Sequence, residues 1–123
     1  QGIIDSDGEL APADFTLRFA EILQEAGPWG QAFPAPLFDG KFKMINQRLL
    51  GGKHLKLTLG LQNSDVLIDA IAFNVDNEQW PNDRCKSIYA AYRLDINEFR
   101  GRRTVQLIIE QFEAVRVHEV MLS

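Results

Sequence analysis

The chain has 123 residues, 46% hydrophobic and 24% charged, with a formal net charge of −4. That length and composition fit one soluble globular domain with a core of its own. No apolar run approaches the roughly 20 residues that cross a bilayer, no signal peptide opens the chain, and the single Cys85 excludes an internal disulfide, so a cytoplasmic protein with no membrane partner is expected.

The chain opens at Gln1 rather than a methionine and is expected to be a fragment of something longer. "GIIDSDGEL" reads as a short strand and a turn; its acids lack the spacing of a calcium loop. "TLRFAEILQEAG" is predicted to be a helix. Thr16 serves as N-cap, Phe19, Ala20, Leu23 and Ala26 share one face, Gly27 takes the left-handed position after the helix, and Pro28 stops it. "GPWGQAFPAPLF" holds three prolines, two glycines and three bulky aromatics. It reads as an extended strap, its Trp29, Phe33 and Phe38 too apolar for a solvated linker.

From Phe38 the hydrophobic period becomes two. "FDGKFKMINQRLL" is a long first strand with Gly40 as a bulge or bend. Gly51-Gly52 turns it into a second strand, "KHLKLTLGL", in which Leu55, Leu57, Leu59 and Leu61 alternate with outward residues. "QNSD" is a turn and "VLIDAIAFNV" a third strand. Asp69 in that strand either faces out or pairs, with an arginine of the fourth strand as the expected partner. "DNEQWPND" is a loop or helical turn. "KSIYAAYRLDINEF" and "RTVQLIIEQFEAV" are the fourth and fifth strands, and "RVHEVMLS" a further strand or an ordered end. Three strands, an interruption and two strands give a mainly β chain with the strand order of a five-stranded OB-fold Greek-key barrel. An SH3-like barrel is the alternative. Two units are expected: an acidic helical connector and strap, 1–37, and the barrel, 38–123.

Residues 1–37 carry six acids and one base, whereas residues 38–123 carry eleven acids and twelve bases. Two windows are basic: Lys41, Lys43, Arg48, Lys53 and Lys56 without an acid among them, and Arg84 to Arg103, with six bases against Asp95 and Glu98. Local fields choose partners more than net charge does, although outer strand faces are often just solvated charge. Catalytic patterns are poor. Cys85, His54 and His118 lack both a nucleophile signature and zinc spacing, and no phosphate-binding glycine loop is present. The chain by itself is expected to be non-catalytic.

Binding features are richer. The tip "NEFRGRR" puts Phe99, Arg100, Arg102 and Arg103 around Gly101, whose freedom lets the backbone turn and approach a ligand. The first hairpin carries Arg48, Lys53, His54 and Lys56. The two loops are expected to meet on one side of the barrel, with Lys41, Lys43 and Arg93 adding charge. Cations there neutralise phosphates, and a ring stacks on a base. Candidate rings are Phe99, Tyr89, Tyr92 and Trp80, the last two weighed first as core.

Together "GPWGQAFPAPLF", "KHLKLTL", "DAIAFN" and "YRLDINEFRGRRTVQLIIE" resemble the C-terminal region of the RecJ family of single-strand-specific 5′→3′ exonucleases. The resemblance spans nearly the whole chain. It implies an OB-like barrel behind two catalytic domains, a role in gripping single-stranded DNA, and a parent that hydrolyses phosphodiester bonds with Mn²⁺ or Mg²⁺. The metal ligands of the family lie in its N-terminal domain, so no cofactor is expected in this chain. The resemblance also implies two protein partners, the acidic tail of single-stranded-DNA-binding protein and the parent's own catalytic domains, and so an alternative role as a protein-docking module.

Overall fold

A computed structural model describes residues 6–30 and 34–116. The strand expected in "GIIDSDGEL" falls largely outside them, as do Phe33 of the strap, His118 and the tail strand after 116. A short 3-10 turn, Pro12–Asp14, and one helix, α1 (Leu17–Glu25), precede five strands. These are β1 (Phe38–Leu50), β2 (His54–Leu61), β3 (Leu67–Ala72), β4 (Ser87–Phe99) and β5 (Arg102–Ala114).

The strands close into a barrel in the order β1-β2-β3-β5-β4. All neighbours are antiparallel except β3 and β5, which run parallel. That order is the OB-fold and not the SH3-like alternative. Closure leaves no open edge among the five described strands. The long first strand serves two neighbours: Phe38 to Lys43 pair with β4, and Phe42 to Leu50 pair with β2. Its register slips between Met44 and Asn46, so the bulge lies at Ile45 and not at Gly40, which pairs regularly with Ala90. A second slip at Ala91/Tyr92 sets Glu110 of β5 outside the ladder.

Alternate residues fill the interior. Leu49, Leu55, Ala72, Ile109, Tyr92 and Phe38 form one inward row by register. Tyr92 is only 1% exposed and makes a T-shaped contact with Phe42 at 5.3 Å. Burial raises its phenol well above the ordinary range, and the nearby Asp39 and Glu9 push the same way. Trp80 is buried and lies against Phe112 at 4.7 Å. Both rings are therefore core.

The helix covers one end of this core. Thr16 accepts a hydrogen bond from the Phe19 amide at 3.1 Å, which is the expected N-cap. Ala20 is buried, and Phe15, Phe19 and Leu23 pack on the barrel. Gly27 lies outside the left-handed region and follows the cap residue Ala26. A Cβ at Gly27 would come within 3.1 Å of the Trp29 amide nitrogen, so close approach rather than backbone sign selects glycine. The segment before the helix joins the barrel too. The Asp7 amide donates to Leu37 at 2.6 Å, and the Asp39 amide to Gly8 at 3.1 Å.

Candidate nucleic-acid interface

The two basic turns have matching local geometry. Gly51 and Gly52 both take positive φ, 59° and 73°, and so do Arg100 and Gly101, 54° and 78°. Two consecutive positive φ values are the hairpin turn whose twist matches that of the flanking strands. Arg100 adopts this conformation against the preference of a side-chain-bearing residue.

Strand direction keeps the two turns apart. β1 runs toward Gly51-Gly52. β4 runs the other way, and after Tyr92 passes Phe38 it continues to Phe99 beyond the start of β1. The first hairpin and the β4–β5 hairpin therefore project from opposite ends of the barrel, and the expected side-by-side meeting does not occur. Antiparallel pairing of β1 with β4 is the reason.

The first hairpin is held rigidly. The Val75 amide donates to the Lys53 carbonyl at 2.8 Å, and the Asn77 side chain to the Gly52 carbonyl at 2.8 Å. His54 accepts the Asn74 amide on Nδ1 at 3.1 Å, which leaves Nε2 to carry the ring proton. Arg48 faces Lys56 across β1 and β2. In register, these two continue through Ile71 and Ile108 to Arg93. One outward row thus has a cation pair at one end, a guanidinium at the other and an aliphatic middle. The neighbouring outward row, Asn46, Thr58, Asp69, Gln106 and Asp95, is neutral to acidic. In it Asp95 accepts from Gln106 at 2.8 Å.

Several predicted cations have structural partners. Arg93 bridges Glu110 at 3.2 Å and donates to the Ala35 carbonyl, so it fastens the strap to the barrel. Asp69 is exposed on β3, which has no pairing with β4, so the expected arginine pair is absent. Arg103 bridges Glu21 of the helix at 2.9 Å. Lys43 donates to the Ser64 carbonyl at 3.2 Å and caps the β2–β3 turn. Lys41 is exposed and lies beside Glu9 and Asp39 on the flank.

At the β4–β5 tip, Phe99 is 63% exposed, with the Arg100 guanidinium 5.0 Å from its ring centre. Arg102 is exposed beside it. Tyr89 is half-buried between Lys41 and Glu113. Sequence reasoning missed another exposed ring, Phe73, which meets His54 edge to face at 5.2 Å. Its signal was present: alternation from Asp69 through Ile71 puts Phe73 on the outer face. Cys85 is buried and donates from Sγ to the Ser87 carbonyl at 3.2 Å. Burial raises its thiol pKa, the opposite of what a nucleophile needs.

A closed five-stranded barrel with this strand order, carrying cations on its hairpins, defines the domain as an OB-fold. The family model for the RecJ OB domain matches residues 6–111, and the chain belongs to that family. It is 54% identical to the single-stranded-DNA-specific exonuclease RecJ of Dickeya dadantii over 110 residues, covering 89% of this chain and 19% of that protein. The RecJ of Escherichia coli is 51% identical over the same length and shares. That of Haemophilus influenzae is 45% identical over 117 residues, 94% of this chain and 20% of that protein. The chain thus spans about a fifth of the length of these relatives. The crystal structure of Thermus thermophilus RecJ with Mn²⁺ superimposes with a TM-score of 0.69 at 19% identity, over 93% of this chain and 16% of that one. The Mg²⁺ complex gives a TM-score of 0.66. At that identity the likeness supports the fold alone.

Proposed function

We propose that this domain grips single-stranded DNA for a RecJ-type 5′→3′ exonuclease, with the barrel as the gripping unit and the segment before Phe38 as its connector to the catalytic part. The observation that carries the reading is the Arg48–Lys56 pair, two cations facing each other on a hairpin whose backbone is tethered by the β3–β4 connection. Like charges opposite each other cost the fold something, and an anionic strand offsets that cost by releasing its counterions. A pre-ordered hairpin also loses little entropy on binding. Phe99, Arg100 and Arg102 supply a second contact at the far end, so the bound strand runs across the barrel between the two turns.

The hydrolytic chemistry belongs to the rest of the parent. Mn²⁺ or Mg²⁺, the ions of the Thermus thermophilus RecJ crystal structures, would bind there. Titrating a labelled single strand with the 123-residue chain at rising salt tests the reading. Expected is affinity that falls steeply with salt, and weaker binding to a duplex of the same length. An affinity independent of salt, or equal binding to duplex, would sink it. Competition with an acidic peptide separates this function from docking of an acidic protein tail: a peptide that binds where DNA does not would reverse the assignment.

A further inference from the structure

Beside the basic row is a cleft that the gripping function has not used. It opens between the end of β3, the β3–β4 connection and β5, with a volume of about 310 Å³. One wall is Phe73, 52% exposed. The buried Trp80 and the half-buried Phe112 beside it line it as well. The side-chain amides of Asn74, Gln79 and Gln111 border it, each able to donate and to accept.

The wall is built to stay in place. Asn74, directly after Phe73, takes a left-handed φ of 57°, and its amide is fixed on His54. The Phe73 ring rests edge-on against the imidazole at an interplanar angle of 75°. The residue nevertheless keeps about half of its surface exposed to a ligand. The strand beneath it relates it to the cations. Phe73 follows directly on the end of β3, and its ring centre lies 5.2 Å from that of His54, which is two residues from Lys56 along β2. Two residues of a strand span roughly 6–7 Å, on the scale of the reach from a backbone phosphate to the base of the same nucleotide.

Charge selects what enters. Asp76 lines the cleft together with Glu110, whose charge Arg93 pairs; the Asp76 carboxylate repels a phosphate or an acidic side chain, yet carboxylates accept hydrogen bonds from the N–H groups of a base edge. We infer that this cleft is a nucleobase subsite. Phe73 stacks on the base, the amides meet its edge, and Arg48 and Lys56 hold the adjoining phosphate. The inference rests on the barrel gripping single-stranded DNA and adds where one base goes. Stacking tolerates every base, since each has a π-face, which suits a strand gripped without regard to sequence.

The test compares the wild-type chain with Phe73→Leu on a labelled oligonucleotide and on a strand of the same length made of abasic sites. Phe73→Leu is expected to lose at least about fivefold in affinity for the oligonucleotide and nothing for the abasic strand. Its melting temperature and its salt slope should match wild type. Phe73→Trp should restore binding, with indole emission quenched by the oligonucleotide and not by the abasic strand. Equal affinity of Phe73→Leu and wild type for the base-bearing strand overturns the subsite and leaves the basic row standing. An equal loss on the abasic strand, or a shallower salt slope, also overturns it, because the ring would then act by supporting the cations. Wild type that binds neither strand overturns the gripping function itself.

Discussion

Replacing Arg48 and Lys56 together by alanine separates binding from folding. The two side chains oppose each other across β1 and β2, and no acid occurs in the sequence between Asp39 and Asp65. Like charges directly opposite destabilise a ladder by up to about 1 kcal/mol. The double variant should therefore melt at the wild-type temperature or slightly above it. The loss falls on binding. Each phosphate neutralised on a single strand contributes about 0.7 to the slope of log affinity against log salt, so two contribute about 1.4. Referred to about 1 M salt, where the ionic contribution vanishes, this amounts to about 25-fold in affinity at about 0.1 M. Fluorescence anisotropy of a labelled oligonucleotide at several salt concentrations reads the slope, and circular dichroism reads the melt. A slope that stays within about 0.3 of wild type refutes the assignment, because cations that touch phosphates must release counterions when they bind.

The other end of the barrel is tested by Arg100→Ala with Arg102→Ala. Binding should weaken for all sequences alike, and unchanged affinity would remove the β4–β5 tip from the interface. Arg100→Gly separates strain from charge. Relief of the positive φ should stabilise the fold by about 1 kcal/mol, while loss of one cation should lower the salt slope by about 0.7; a lowered melting temperature would contradict the strain. Glu21→Ala frees Arg103 from a half-exposed ion pair, at a cost of no more than about 1 kcal/mol in stability. Its DNA affinity should rise, and a fall would show that Glu21 supports the site. Stability should also decline in alkali. Burial raises Cys85 above 9.0 and raises Tyr92 in the same direction, so the fold disfavours both ionised forms. The penalty is absent below the unfolded values and grows as pH rises through them toward the folded ones. Urea midpoints should hold steady from neutral pH to about 9 and fall beyond it; a flat profile to higher pH would refute the burial argument.

Much of the fold is legible in the amino-acid order because it rests on local patterns. Alternation predicts the first strand over 38–50, and the strand spans Phe38–Leu50. Thr16 and the apolar face after it announce the helix, and the two glycine-bearing turns announce the hairpins. The third strand is predicted through Val75 but ends at Ala72, because its next backbone amides turn away to serve His54 and Lys53. Gly40 looked like the natural break in β1, yet the bulge falls at Ile45. A bulge is a mismatch between two paired strands, and no single strand records it.

The candidate interface divides along the same line. Its cations are countable from the sequence, but their employment is not. Arg93 and Arg103 read as part of one basic window, and the fold commits them to Glu110, the strap and the helix. Alternation through Asp69 and Ile71 points Phe73 outward, but only the fold brings His54 beside it. Composition and periodicity by themselves determined a small β-barrel with basic hairpins, since those features depend on residues a few positions apart. Tertiary structure decided which end each hairpin occupies, which arginines keep their charge available and what stands beside each exposed ring. Those outcomes depend on strand direction and on partners distant in sequence, and closing the barrel is what brings such partners together.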